Sequence, residues 1–450
     1  MRIVESGSVT LKAALIGVIV LLLLIPLEML RSVVTERAGL REQAYQRVAE
    51  GWGGELAVGG PMLIVPTERT IRVDGKESLM RSDVYLLPAK LDADMAVKLD
   101  PEPRYVGIYA VPVYLSTLRL QGEFDFTRLQ TLVPESAPES GTRFLWSQSR
   151  LRLPLNTVGS LREIRQANFA GRQIKLGPAT PGMFPGIEVT VDLSELHQTP
   201  GAAFDFGAVI AGSRAVSILP LGSITSVKLS SDWPHPSFQG SSLPVERSID
   251  DAGFQARWQV LELNRAYGEI WREGNVTEEM LRRSAVGVSL FQPVDIYQRG
   301  ERSVKYAVLF IALTFLAFFA WEQVTRNRLH PLQYLLVGLA LSMFYLLLIA
   351  LSEHIAFALA YITAATALVL LIGMYLAGAL RNVWRGVIAG AAMSLVYGLL
   401  YMLVLSENYS LLLGSIILFA ALAAVMLATR RVDWYGLRPE AASQTEESHR

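Results

Sequence analysis

Few residues in this chain have the types and spacing that catalysis or metal binding requires. The 450 residues include no cysteine, which excludes disulfides, thiolate metal sites and a cysteine nucleophile. A Gly-rich phosphate loop, an HExxH motif and a GxSxG motif are also absent from the sequence. No two of the five histidines share a helical face; they are His197, His235, His330, His354 and His449. We therefore expect a protein that is not an enzyme and that needs no cofactor or metal.

The most unusual stretch of polar and aromatic residues is SSDWPHPSFQG, residues 230–240. A proline on each side of His235 fixes the backbone, and Trp233 and Phe238 add large apolar area. A stiff loop of this kind can present aromatic rings to a partner, which makes Trp233, His235 and Phe238 a candidate partner loop. The sequence favours the alternative, in which Trp233 and Phe238 fill the core beneath a rigid connection. Asp232 and His235 are too few ligands for a metal.

The elements that must hold such residues are of two kinds, apolar segments and one long stretch of water-soluble composition. Six apolar segments are long enough to cross a bilayer, which takes roughly 20 residues, and they span residues 13–30, 304–321, 331–351, 355–380, 386–405 and 411–428. Between the first two, residues 31–303 have the composition of a water-soluble domain. The sequence thus predicts an anchor helix within residues 1–30, a large domain over 31–303, a five-helix bundle over 304–429 and a disordered tail over 430–450.

Short loops between the apolar segments indicate the orientation in the membrane. Basic loops alternate with the loops at 352–354 and 406–410, which carry no Lys or Arg; the basic residues are Arg326, Arg328, Arg381, Arg385, Arg430 and Arg431. The positive-inside rule then places both termini in the cytoplasm and residues 31–303 on the other side of the membrane. Arginines at 31, 37 and 41 oppose this locally, but the rule weakens for a long translocated domain.

The predicted spans two to six contain no ionisable residue in their central parts. Because ionisable residues inside a membrane usually mark ion or proton pathways, their absence argues against an ion-coupled pump. Transport of lipid or of a neutral solute remains compatible with the sequence. Gly386, Gly390 and Ser394 recur four residues apart, a spacing that lets helices approach closely. We expect these three to pack inside the bundle, with a homo-oligomer interface as the alternative.

The large domain has the alternation of antiparallel strands. Apolar and polar residues alternate over 118–127, 187–193 and 254–260, and prolines divide the domain into short segments. We expect one or two β-sandwich units. Residues 35–50 have a helical pattern and form either a stalk or a helix that lies against the domain. Asp74-Gly75 indicates a hairpin, and Thr277 is expected to cap a short helix in TEEMLRR.

Two long motifs resemble those of the CreD family of bacterial inner-membrane proteins. They are SDWPHPSFQG followed by GFQARW, and RLHPLQYLLVG running to FYLLLIALSEH. The resemblance implies a cell inner membrane, with residues 31–303 in the periplasm. It also implies a link to cell-envelope integrity, to colicin tolerance and to a regulon under a carbon- or stress-responsive two-component system. The family offers no catalytic residues that could be carried over.

Three functions are compatible with these observations. The first is a non-enzymatic envelope protein, supporting integrity and stress response, whose periplasmic β-domain binds a protein, glycan or lipid. The second is a transporter or lipid-handling protein that uses the helix bundle. The third is an enzyme acting on envelope polymers, which would need an acid, base or nucleophile in one outer cleft. The balance of 41 basic and 41 acidic residues gives no indication of nucleic acid.

Overall fold

The computed structural model describes residues 8–73, 76–130, 142–290, 296–325, 329–406 and 409–430. Two compact units divide the chain: Met1–Leu40 with Val294–Arg450, called here the helical unit, and Arg41–Pro293, the β unit. The division falls at residues 40 and 293, where the sequence predicted 30 and 303. The difference arises because the first and the fourth helices continue beyond their apolar segments. Most of the predicted tail, from residue 431 onward, lies outside the described residues.

The helices α1–α8 span, in chain order, Ser8–Gly51, Thr127–Gln130, Glu278–Arg283, Ile296–Thr325, Pro331–Ser352, Phe357–Ala379, Val383–Leu405 and Ser410–Thr429. Within the residues that the structure describes, five helices are long and apolar enough to cross a membrane: α1, α4, α5, α6 and α7. In α8, the last of the six predicted spans, the stretch that qualifies by composition is the shorter Leu411–Ala424. The prediction of a membrane protein with an N-terminal helix and a C-terminal group of apolar helices is confirmed.

Helix α1 packs into the helical unit through a continuous apolar seam. Its buried residues are three or four positions apart, so they lie along one side of the helix, and they are Ile16, Ile19, Leu23, Leu27, Leu30 and Val34. The closest approach is at Gly338 of α5, where a Cβ would lie 2.2 Å from the Leu23 side chain and 2.8 Å from Phe315 of α4. A larger residue there would displace the ends of both side chains, so the glycine favours the close packing of α1, α4 and α5. The predicted anchor helix is therefore an integral member of the bundle.

Aromatic side chains fill the interior of the bundle. The Phe344 ring contacts the rings of Tyr361 and Tyr397 edge-on, with centroids 5.4 and 4.6 Å apart. The Tyr361 hydroxyl donates to the Tyr397 carbonyl oxygen at 2.6 Å. Phe344, Tyr345 and Tyr397 are each at most 2% exposed. These helices thus enclose a close-packed core.

The strands β1–β21 span, in chain order, Leu56–Gly59, Met62–Val73, Lys76–Leu86, Lys90–Leu99, Arg104–Val106, Tyr109–Val111, Val113–Asp125, Thr142–Phe144, Ser149–Pro154, Leu161–Phe169, Arg172–Gln173, Gly177–Pro178, Gly186–Val191, Gly201–Ser213, Ala215–Leu219, Ile224–Ser231, Pro236–Gly240, Glu246–Asp250, Gly253–Leu261, Ile270–Arg272 and Val286–Leu290. All belong to the β unit. The three segments with predicted alternation lie in β7, β13 and β19, so the strand prediction is confirmed.

The strands form two large sheets and two small ones. An eight-stranded sheet has the order β11-β10-β14-β7-β4-β16-β19-β18, and a seven-stranded sheet has the order β12-β13-β9-β2-β3-β20 with β8 beside β2. A four-stranded sheet has the order β1-β15-β21-β17, and β5 pairs with β6. Most pairs are antiparallel, as predicted, while β1 with β15 and β4 with β16 are parallel. The inner faces of both large sheets share one apolar core, in the manner of a sandwich.

Three local predictions for the β unit concern a hairpin, a helix cap and the helix at residues 35–50. Strands β2 and β3 form the expected hairpin, with Val73 opposite Lys76; the turn residues Asp74 and Gly75 lie outside the described residues. The Thr277 hydroxyl accepts the Met280 N–H at 3.3 Å, which confirms the predicted cap of α3. The C-terminal part of α1 matches the second alternative for residues 35–50, a helix that lies against the domain. Within the β unit its Ala44, Tyr45 and Val48 pack on Val111 and Val113.

Candidate functional site: a polar hollow on the eight-stranded sheet

The outward face of the eight-stranded sheet carries aligned rows of polar side chains. Register places Asp94 of β4 opposite Lys228 of β16, and Lys228 opposite Arg257 of β19, which pairs with Glu246 of β18. The next row contains Ser230, Gln255 and Ser248 on β16, β19 and β18. These side chains alternate with core residues along each strand, so a flat polar surface is exposed over the last four strands.

Two adjoining hollows open on this face. The first has a volume of about 580 Å³ and the second about 500 Å³, and Ser230, Ser248 and Gln255 line both. The first extends to the charged row at Lys228, and the second extends to Asp232 at the end of β16. We call the pair the polar hollow. It is continuous over the face of β4, β16, β19 and β18.

Charges around the polar hollow are balanced. Eight charged residues occur along its lining, four basic and four acidic: Lys98, Lys228, Arg247, Arg257, Asp94, Asp232, Glu246 and Asp250. Arg247 alternates with Glu246 and Ser248 on β18 and pairs with Ala256, so its side chain belongs to the other face of the strand. The Arg257 guanidinium donates to both carboxylate oxygens of Glu246, at 3.0 and 2.5 Å. Such a bidentate pair fixes both side chains in one geometry. The site is thus rich in donors and acceptors but has no excess of one charge.

The candidate partner loop lies at one end of the polar hollow. Trp233 and Phe238 are both half-buried and pack against the main core, and the Phe238 ring meets Phe254 edge-on, with centroids 5.8 Å apart. The Trp233 indole N–H donates to the carbonyl oxygen of His235 at 3.0 Å, while the His235 side chain is exposed. The geometry agrees with the core reading of the two aromatic residues. Asp232 joins the loop to the hollow, and its carboxylate accepts the Leu99 N–H at 3.0 Å.

A buried carboxylate, Glu269, lies at another edge of the β unit. It is 2% exposed and accepts the Ser223 hydroxyl at 2.5 Å, and Arg128 lies 3.1 Å from the same oxygen. Burial raises the pKa of Glu269 above its ordinary value; Ser223 and Arg128 lower it in part, and the neighbouring Glu262 and Asp125 add to the rise. Acidic groups with different environments can act as acid and base. This group, however, is closed off from solvent.

A second buried charge is compensated. Arg152 is 2% exposed and donates from Nε and Nη2 to one oxygen of Glu188, at 3.0 and 2.7 Å. Burial by itself would raise the pKa of Glu188, but the N–H of Thr180 and the Arg152 guanidinium hold it below its ordinary value. Arg152 also donates to the carbonyl oxygens of Thr180 and Phe184. The cluster ties the segment between β12 and β13 to β9, which is a structural role.

Charged residues at both ends of the helical unit were missed by the sequence analysis, which considered only the centres of the spans. Lys12 of α1 forms an ion pair with Glu322 of α4 and donates to the Leu329 carbonyl oxygen at 2.6 Å. The Tyr334 hydroxyl donates to the other Glu322 oxygen at 3.1 Å. The only signal in the sequence was the place of Lys12 and Glu322 at the edges of their apolar segments.

At the other end of α1, Arg37 lies 3.8 Å from a carboxylate oxygen of Glu353, the residue that follows α5. The Tyr297 hydroxyl of α4 donates to the same oxygen at 3.2 Å. Ion pairs thus stand at both ends of the apolar seam of α1. They bind the first helix to the helices that follow the β unit in sequence.

The predicted helix-packing residues lie on one face of α7. A Cβ on Gly386 would lie 2.5 Å from the Ala377 Cβ and 2.6 Å from the Gly373 carbonyl oxygen, both of α6. Gly390 faces Val369 of the same helix. The Ser394 hydroxyl donates to the Gly390 carbonyl oxygen at 3.0 Å, within α7. Gly386 therefore allows α6 and α7 to approach closely, whereas a Cβ on Gly390 would lie 3.6 Å from the Val369 side chain, an ordinary contact distance.

Within the described parts of the chain, no group of three or more His, Asp or Glu side chains could hold a metal ion. The apolar helices, with a large and mainly antiparallel sheet domain between the first and the later ones, define a multi-span membrane protein with an inserted domain. The family model described as "Inner membrane protein CreD" matches residues 8–435. A protein of that name from Escherichia coli (strain K12) is 34% identical over 421 residues, which cover 92% of this chain and 91% of the relative. The chain belongs to the CreD family of inner-membrane proteins.

Proposed function

We propose that this inner-membrane protein supports the integrity of the cell envelope by binding an envelope component through its β unit, in the periplasm. The observation that carries the proposal is that open volume lies on the β unit while side chains fill the interior of the helical unit. The polar hollow offers volumes of about 580 and 500 Å³ on the β unit. The helical unit, by contrast, is filled by aromatic residues such as Phe344 and Tyr397. Binding on the β unit therefore fits the geometry better than passage through the helices.

We infer a binding role that involves no catalysis. Glu269 is an acidic side chain whose pKa is raised by burial, the direction that a general acid needs, but it is 2% exposed. The acids that line the polar hollow are solvated or paired, as Glu246 is with Arg257. A glycan-cleaving or acyl-transfer site would need such a group in an open cleft. The polar hollow offers hydrogen bonds instead.

Complementation of a deletion strain tests the proposal. Cells without the protein should be more sensitive to detergent and to cell-wall antibiotics, and the wild-type chain should restore resistance. Ser230→Trp, which places a bulky ring where the two hollows meet, should fail to restore it at equal expression. Ser226→Trp is the matched control, because Ser226 is also half-buried on the same face of β16 but lines neither hollow.

Two results would count against the proposal. A deletion strain with an unchanged envelope under every stress would remove the integrity role. Full complementation by Ser230→Trp would remove the polar hollow from the function, and loss of solute or lipid flux in the same deletion strain would then favour the transporter alternative.

A further inference from the structure

We propose that the polar hollow binds an uncharged, hydroxyl-rich polymer, that is, a carbohydrate chain. The inference rests on the proposed function and names the ligand class of the same site. Its basis is the combination of balanced charge, mixed donors and acceptors, and open shape. Each of the three restricts the ligand in a different way.

Charge balance disfavours polyelectrolytes. With four cationic and four acidic residues around the hollow, a polyanion meets carboxylates such as Asp94 and Asp250 wherever it meets a cation. A polycation meets Lys98 and Lys228 in the same way. Like charges held close together oppose binding, and desolvation of each unmatched charge adds to the cost. A neutral ligand avoids both costs.

The uncharged side chains at the centre match hydroxyl groups. Ser230 and Ser248 each offer one donor and two acceptor positions, and Gln255 offers two donors and one acceptor oxygen. A sugar hydroxyl likewise donates once and accepts, so it can pair with any of these groups. The centre of the hollow thus suits a ligand that both donates and accepts along its whole length. Charged side chains at the margin add stronger hydrogen bonds to the same hydroxyls.

The shape fits an extended chain. Along β16 the lining runs from Lys228 to Asp232, roughly 13 Å at strand rise. Across β4, β16, β19 and β18 it covers three strand spacings, roughly 14 Å. An open, shallow surface of this kind leaves both ends of a polymer free to continue. Since the exposed side chains are polar, we expect modest affinity for one segment and stronger binding of a multivalent polymer.

Titration of the purified full chain with chitohexaose, an uncharged oligosaccharide, tests the inference. The detergent must carry no sugar headgroup, because a maltoside would compete for the site. We expect saturable binding by calorimetry. Gln255→Ala should weaken binding about tenfold, as expected for the loss of one or two hydrogen bonds, and Ser230→Trp should abolish it. Gln259→Ala and Ser226→Trp, on the same strands and the same face, should bind as the wild type does.

Several results would overturn the inference. They are binding of dextran sulfate or poly-L-lysine in preference to chitohexaose, oligosaccharide binding that Ser230→Trp leaves unchanged, and no oligosaccharide binding at all. The last result can be separated from a failure of the proposed function. If Ser230→Trp fails to complement the deletion strain while the wild-type protein binds no carbohydrate, the hollow has a function but the ligand belongs to another class.

Discussion

Lys12 and Glu322 illustrate how a single residue pair can join distant parts of this chain. Both side chains are largely buried at one end of the helical unit, where a charge without a partner is costly. Arg31 and Glu28, by contrast, are 61% and 75% exposed and lie 3.9 Å apart on α1. Surface pairs of that kind contribute little because water screens them. We therefore expect loss of the buried pair to lower stability strongly and loss of the exposed pair to change it little.

Lys12→Ala should destabilise the protein by about 3–5 kcal/mol, since it leaves Glu322 buried without its cation. Arg31→Ala should change stability by less than about 1 kcal/mol. Unfolding in detergent, followed by circular dichroism, measures both. The double variant Lys12→Ala with Glu322→Ala should recover part of the loss. Equal stability of the Lys12 and Arg31 variants would contradict a stabilising role of the Lys12–Glu322 ion pair.

Glu188 and Glu269 should give stability profiles of opposite slope with pH. The pKa of Glu188 is lowered in the folded state, so its contribution is present above its ordinary value of 4.5 and is lost as pH falls. The pKa of Glu269 is raised, so its contribution is present below 4.5 and is lost as pH rises through the folded-state pKa. The two pKa shifts differ in direction because Arg152 and the Thr180 N–H outweigh the burial of Glu188, whereas Ser223 and Arg128 do not outweigh the burial of Glu269.

The measurement compares each variant with the wild type from pH 8 down to about pH 3, because the contribution of Glu188 is lost below its ordinary pKa of 4.5. Glu188→Gln should lose stability relative to the wild type, and the loss should shrink toward acid. Glu269→Gln should gain relative to the wild type as pH rises. Parallel profiles for the wild type and Glu269→Gln would refute the assignment.

At the scale of elements, the contact between α6 and α7 depends on one glycine. Gly386→Ala places a methyl group 2.5 Å from the Ala377 Cβ, so the helices must separate. We expect a loss of about 1–3 kcal/mol. Gly378→Ala is the control, because nothing lies within 4 Å of its added Cβ. Thermal unfolding in detergent compares the two, and an unaffected Gly386 variant would show that the helices can move apart freely.

The loop between β16 and β17 offers a second test at this scale. Trp233→Ala should destabilise the full chain by about 2 kcal/mol, because a half-buried indole leaves the main core. His235→Ala removes an exposed ring and should change stability by less than about 0.5 kcal/mol. If the Trp233→Ala variant keeps its stability but no longer complements the deletion strain, the result would support the alternative hypothesis that the loop binds a partner.

At the scale of the whole molecule, the orientation in the membrane stays a prediction. Reporter fusions at residues 381–385, where α6 gives way to α7, should report cytoplasm, since Arg381 and Arg385 lie there. Fusions in the loop at 406–409, which has no Lys or Arg, should report periplasm. Reporters active on the opposite sides would invert the topology, and with it the periplasmic position proposed for the β unit.

The sequence by itself determined that the chain has a membrane part and a water-soluble part. It also determined the apolar helices and many of the strands. These are local properties, because hydrophobic length and two-residue alternation are decided by neighbours along the chain. The cap of α3 at Thr277 was predictable for the same reason. The CreD resemblance rested on continuous motifs and was confirmed by the family match.

Only the tertiary structure decided which distant residues meet. The polar hollow requires the register of β4 against β16 and of β16 against β19, so that Asp94, Lys228 and Arg257 form one row. The ion pair at one end of α1 joins Lys12 to Glu322, which is 310 positions away. No pattern in either local sequence specifies such a partner, because the pairing is selected by the packing of the whole core and not by the properties of its neighbours along the chain.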